Sequence, residues 1–430
     1  MFRYLHQLWH SRDLRNKILF TVGILLLFRL ATQITLPGVN LDSVKSIFAR
    51  NSVLGIFSAL TGGSAENFSI ILMGVSPYIN ASIIVQLLAV IIPKWENLSK
   101  EGEQGRKTLN KYTRWLTLPL ALLQSYGMIL LLNSFAQVPI IDDITNPMVL
   151  FPAMLTITAG TVLLMWLGEM ISERGIGNGV SMIIFAGIIA NIPQLFGQSL
   201  FLASQDIKKA IPLTASVLFF IILLIIIVLV NEGQRRIPIT YAGHQFQGKG
   251  ANSFIPIRLV QAGMIPIIFA VSLVSFPGIV GQFLSNSASE RLRNIGGVLN
   301  TTFQPNSALY LILYFLFIIA FTYFYVSITF NPVNVAENIQ KRGGYIPGIR
   351  PGSQTAEYIG TVSNRLNLFG GTFLAIIALL PIIIGAYLPS SGGFFSLISG
   401  ASMIIVVGVI LDLIRQVNAQ MLMHDYEKLS

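Results

Sequence analysis

Cysteine is absent from all 430 residues, which excludes disulfides, thiolate chemistry and cysteine-ligated metals. Charge is scarce as well: 11% of residues are charged and 53% are hydrophobic, whereas about a quarter of a soluble globular chain is charged. A soluble domain is therefore excluded. The four histidines, His6, His10, His244 and His424, all fall outside the long apolar runs, so no run holds a metal-ligand or His–carboxylate cluster, which argues against intramembrane hydrolysis. Glu169 and Asp412 sit near the ends of their runs, a poor placement for a proton relay or a coupled transporter. No Gly-x-x-x-x-Gly-Lys-Ser/Thr loop is present, so the chain is not expected to hydrolyse a nucleotide. Nothing in the residues calls for a metal or a cofactor.

What the chain has in quantity is apolar runs of membrane-spanning length. Ten occur, at approximately 18–36, 70–92, 115–135, 149–171, 178–197, 213–230, 259–283, 308–329, 366–387 and 394–414. Only the first contains a cation, Arg29. That arginine is expected to snorkel to the outer interface or to face a wet interior rather than to pair with a midplane carboxylate. The first run follows the basic stretch "MFRYLHQLWHSRDLRNK" but is too long for a signal peptide and lacks a small-residue cleavage pattern, so it reads as a span. Distributing the 28 Lys and Arg over alternate sides puts twenty-one on the side of the N-terminus and six opposite. This bias predicts both termini in the cytoplasm. It also accounts for the net charge of +10 without a specific nucleic-acid site.

Ten spans divide as five plus five, giving halves 1–205 and 206–430 that enter the membrane from opposite sides, the layout of an inverted repeat. The second span of each half contains Gly-x-x-Pro: "GVSP" from Gly74 to Pro77, and "GMIP" from Gly263 to Pro266. Paired interruptions of this kind point to the functional centre of such a fold, although proline is common in membrane helices generally. The connections 231–258 and 331–365 are long and rich in Gly, Pro, Arg and Gln, and long loops carry function more often than short ones. On the other side, the segment 53–69 begins with a short apolar helix, about Val53 to Leu60, broken by "TGG". Eight residues cannot span, so it is expected to be re-entrant or to lie on the surface.

The second span, "GVSPYINASIIVQLL", also carries Asn80, Ser82 and Gln86. Amides and hydroxyls facing only lipid would be costly; they suit an aqueous conduit or hydrogen bonds that hold neighbouring helices together. A bundle whose centre is apolar with scattered amides fits a chemically heterogeneous passenger better than one selected solute. The residues leave open a secondary transporter of a small solute and a structural scaffold.

Seven blocks are similar in order and spacing to the SecY family, the channel subunits of the bacterial Sec protein translocase. They are "GVSPYINASIIVQLL", "KEGEQGRKTLNKYTR", "MWLGEMISERGIGNG", "EGQRRIPITYA", "AGMIPIIFA", "FNPVNVAENIQKRGGYIPGIRPG" and "ASMIIVVGVILDLI". The resemblance implies an all-α polytopic membrane protein in a bacterial inner membrane, with two inverted five-helix halves around a central pore. It implies a channel that passes unfolded secretory polypeptides, recognises their signal sequences and releases apolar segments laterally into lipid. It implies a pore ring at Val75, Ile79, Val180, Ile184, Ile268 and Ile405, two of them Val where Ile is common. It implies a plug containing Val53, Leu54, Gly55, Ile56, Phe57 and Leu60, and a lateral gate between spans 2 and 7 with Asn80, Ser82, Gln86, Gln124 and Val260. Val260 stands where the family often has Asn, and Gln261 follows it, which puts a three-member polar clasp in doubt. The partners implied are the small subunits SecE and SecG, the ATPase SecA and a translating ribosome, docked on loops containing Arg235, Arg236 and Arg350.

Overall fold

The computed structural model describes residues 11–50, 58, 61–135, 139–141, 146–205, 207–241, 253–285, 289–304, 307–387 and 400–427. Within them each predicted run overlaps a helix. In chain order the helices are α1 (Arg12–Ala31), α2 (Leu41–Arg50), α3 (Ser76–Ile91), α4 (Pro93–Lys100), α5 (Glu103–Phe135), α6 (Pro147–Arg174), α7 (Gly179–Gln205), α8 (Ile207–Glu232), α9 (Ile265–Ser285), α10 (Glu290–Thr302), α11 (Ala308–Thr329), α12 (Pro332–Lys341), α13 (Ser353–Tyr387) and α14 (Gly400–Glu427). By length and apolar composition, six described stretches can cross a membrane on their own, and α3 with α4 adds a seventh broken at a 107° bend. The protein is an all-α, multi-pass membrane protein, because a helix satisfies its own backbone in hydrocarbon.

Local chemistry sets several helix starts. Asn146 and Asn331 each precede a proline, and their side-chain oxygens accept from the backbone N–H groups of Met148 (3.0 Å) and of Val333 and Asn334 (3.0 and 3.3 Å). The amide caps a free donor while proline occupies the one position where its missing N–H costs nothing. Pro93 likewise opens α4 after the bend, where Trp95 stacks on Tyr112 of α5 with ring centroids 4.9 Å apart.

The two Gly-x-x-Pro segments differ from the expectation of breaks within a span. Residues 70–75 and 259–264 are not helical; α3 begins two residues after Gly74 and α9 two residues after Gly263. Both glycines are left-handed, with φ of +56° and +61°, and the proline that follows takes the second helical position. The motif starts a helix from a turn that only glycine adopts at little cost, and it does so identically in each half of the sequence.

Residues 231–258 and 331–365 are more ordered than loops. They form a three-stranded sheet, order β2–β1–β3, from β1 (Gln234–Tyr241), β2 (Ser253–Arg258) and β3 (Gly344–Tyr345). Arg236 pairs with Pro256 and Thr240 with Tyr345. Ile237, Ile239 and Ile257 of the sheet pack with Ile339, Ile346 and Ile359 in a small separate core, so both connections form one body at this end of the bundle.

The larger cores locate the functional centre. One cluster, including Leu223, Ile267, Tyr314, Leu374 and Ile404, draws only on residues after 216; another, including Val44, Phe68, Leu132 and Ile157, draws only on residues before 158. A third joins Ile24, Ile71, Leu164 and Ile184 to Met264, Ile268, Ile405 and Val409. The last is where the two parts of the chain meet.

Candidate functional site: an apolar constriction

All six predicted ring positions fall in this third cluster: Val75, Ile184 and Ile405 are buried, and Ile79, Val180 and Ile268 pack against them. Five of the six also line a cavity of about 90 Å³. Val180 stands behind it, its Cγ2 within van der Waals reach of Gly168 on α6. The wall is completed by Ile267 and Val271 of α9, Ile382 of α13 and small residues of α13 and α14. Cavity space on this scale admits a few waters and no extended polypeptide. Its lining of β-branched residues resists wetting while it stays empty.

Polar groups fringe the apolar wall: Ser76, Ser272, Thr61, Tyr310 and Tyr314 all face the cavity. Sequence reasoning missed the two tyrosines. They lie one helical turn apart in "ALYLILYFLF", a spacing that puts both on one face of α11, but the run shows no apolar periodicity that would say which face is interior. Thr61 arrives from the expected plug segment 53–69, but its place on the cavity wall was not legible in the sequence. The predicted plug residues Val53, Leu54, Gly55, Ile56, Phe57 and Leu60 lie outside the described residues.

Helices α3 and α9 touch, and α5 touches α9. Within α3, Gln86 Nε2 donates to Ser82 Oγ at 3.0 Å, so these two polar side chains satisfy one another along the helix; Asn80, two residues before Ser82, is half-buried. Val260 is buried in the core of the second half. The neighbouring Gln261 instead accepts through Oε1 from Ser363 Oγ of α13 at 3.1 Å. Its Nε2 is buried without a partner, and so is Oε1 of Gln124 on α5. One buried donor and one buried acceptor are thus without partners on segments next to α9.

At the sheet end, Arg235 and Arg236 are exposed on β1, and the Arg236 guanidinium lies 4.7 Å from the centre of the Phe254 ring. Arg350 is exposed in the turn between left-handed Gly348 and Gly352, and its carbonyl accepts from Thr355 Oγ1 at 2.9 Å. Arg29 Nη1 donates to the carbonyl of Gly62 at 2.8 Å. Glu169 is held by Arg114 of α5, Nε to Oε1 2.5 Å.

A model of the SecY family matches residues 69–414. The chain is 41% identical to the protein translocase subunit SecY of Corynebacterium glutamicum, over 98% of both proteins. Among solved structures it is similar, with a TM-score of 0.62 and 18% identity, to a protein conducting channel, covering 94% of this chain and 92% of that one. Sec61 in the canine ribosome–channel complex from the endoplasmic reticulum gives a TM-score of 0.58 at 17% identity, with the same coverage. At these identities the structural likeness is one of fold.

Proposed function

Since this chain belongs to the SecY family, we propose how its residues divide the work of a protein-conducting channel. Its function is that of the channel subunit of a protein translocase, passing polypeptides through a membrane; the small-solute transporter is not adopted. Val75, Ile79, Val180, Ile184, Ile268 and Ile405 form the ring that closes around an unfolded chain. Branched apolar side chains favour no passenger sequence and keep ions out by dewetting when no passenger is present. The observation that carries this reading is their convergence, from both parts of the chain, on one cluster, with five of the six lining one mainly apolar cavity.

The halves 1–205 and 206–430 part between α3 and α9 to admit a signal sequence and to release apolar segments sideways into lipid. The unpartnered Gln124 Oε1 on α5, which touches α9, and Gln261 Nε2 just before α9 suit an interface that must separate. The plug, Val53 to Leu60, seals the outer side. We place the chain in a bacterial inner membrane with both termini and the sheet in the cytoplasm, in keeping with its charge distribution. The exposed Arg235, Arg236 and Arg350 receive a ribosome or the ATPase SecA, which supplies the driving force, and SecE and SecG complete the complex.

The absence of native cysteine makes the test direct. Single cysteines are placed at Ile79 or Ile268 and along a stalled secretory precursor. Crosslinks between them are expected only while the precursor is in transit. A precursor that is transported without touching either position would overturn the ring assignment.

A further inference from the structure

Arg29 is the one cation within the first apolar run, and its partner lies thirty-three residues away. Its guanidinium donates to the carbonyl of Gly62 at 2.8 Å. Gly62 and Gly63 are both left-handed, with φ of +71° and +82°. The pair is wedged between two helices: a Cβ on Gly62 would lie 2.8 Å from the Cα of Gly187 in α7 and 3.3 Å from the Phe28 ring in α1, and one on Gly63 would lie 3.3 Å from Asn191 Oδ1. Immediately before this turn, Thr61 lines the cavity over the ring and faces Gly74, whose Cβ would meet Thr61 Cγ2 at 3.4 Å. Immediately before Thr61 runs the predicted plug segment. Its described residue, Ser58, is buried and donates to Glu66 Oε1 at 2.9 Å.

The C-terminal end of a helix favours a cation whatever its partner, and Arg29 is in the last turn of α1. A charge there needs only to be positive. The guanidinium, however, is aimed at one backbone carbonyl of a turn that no side chain larger than hydrogen could occupy, and that turn fixes Thr61 against the ring. Among the described residues the other ties of this turn are local: Gly63 N–H donates to Ser58 O at 2.9 Å, Thr61 Oγ1 to the same carbonyl at 3.2 Å, and Asn67 N–H to the Gly63 carbonyl at 3.3 Å.

We propose that Arg29 is a latch on the outer side of the constriction, its hydrogen bond to Gly62 holding residues 61–63 in the turn that seats Thr61 over the ring, and that this bond breaks when the channel opens. The inference rests on the channel reading. It makes Arg29 a positioning residue for the resting seal, with no contact to the passenger.

The test uses the full chain reconstituted with its partner subunits, carrying Thr61→Cys as its sole thiol. In the resting state labelling by a membrane-impermeant maleimide is expected to be slow. Arg29→Gln should raise the labelling rate about tenfold, the equivalent of one charge-assisted hydrogen bond. Arg29→Lys should fall between, because it keeps the charge but has a shorter reach and no planar fork. Labelling of Arg29→Gln at the unmutated rate overturns the latch, and full restoration by Lys assigns Arg29 to the helix end alone. If Arg29→Gln does not accumulate, the unmutated Arg29 background decides: Thr61→Cys should be protected at rest and label rapidly with a stalled precursor engaged, and equal rates overturn the proposal. Precursor import by the same vesicles tests the channel reading separately, since failure of import would refute that reading whatever the thiol reports.

Discussion

The backbone N–H of Gly177 donates to Oε1 of Gln416 at 2.6 Å, joining the turn between α6 and α7 to α14 across 239 positions of sequence. Beside it, Arg415 holds Glu232 Oε1 at 2.6 Å, Asp412 Oδ1 at 3.2 Å and the Asn231 carbonyl at 3.2 Å. The Gly177–Gln416 bond thus ties the two parts of the chain together, and the Arg415 contacts brace the second part beside it, whereas Gln124 Oε1 on α5 and Gln261 Nε2 just before α9 are buried without partners. Gln416→Ala should cost about 1 kcal/mol, the net worth of one hydrogen bond. In detergent this should lower the melting temperature by about 1–3 °C. An unchanged transition would show that Gln416 does not brace the turn.

Gln124 is expected to respond in the opposite direction. A buried acceptor without a partner costs about 1–3 kcal/mol, so Gln124→Leu, similar in size and apolar, should raise the melting temperature. It should also tighten the closed gate, so that precursors with weak signal sequences are imported less well. A lower melting temperature would mean that Gln124 Oε1 has a partner in the membrane.

Two glycines separate backbone strain from crowding. Gly263 is left-handed with nothing within 4 Å of where a Cβ would stand, so Gly263→Ala should cost only the conformational penalty, about 1–2 kcal/mol. At Gly62 the same penalty is joined by the collision with Gly187 Cα, and Gly62→Ala should be markedly worse in yield and melting temperature. Equal losses at both sites would contradict the tight approach of the 61–63 turn to α7.

Arg350 offers a planar fork of donors at the tip of an ordered turn. Replacement by Glu should leave assembly intact and reduce motor-driven import by about 10–100-fold, the worth of a charge-assisted contact. Arg350→Lys should be only partly spared. Import into vesicles with purified motor measures both; Arg350→Glu importing at the native rate would remove this loop from the docking surface.

Much of the architecture was legible in the residues because it is local. A run such as Ala308–Thr329 must be a helix in hydrocarbon, since only i to i−4 bonding satisfies its backbone, and its predicted limits coincide with α11. Glycine followed by proline three residues on marked the second span of each half for the same reason. The choice of partners was not local. Residues 70–75 and 259–264 continue the apolar runs of their spans yet form turns, with Gly74 and Gly263 left-handed. The strand pairing of Thr240 with Tyr345 joins two connections separated by three helices of the bundle. Arg29, expected to snorkel outward or to face a wet interior, donates to the Gly62 carbonyl, and Gln261 reaches Ser363 while Val260 enters the core. Composition established that these segments enter the membrane and that the first run carries a cation. Which carbonyl that cation meets, and which tyrosines face the cavity, depended on bringing together segments tens to hundreds of residues apart, where helix period alone assigns a face but not what lies opposite it.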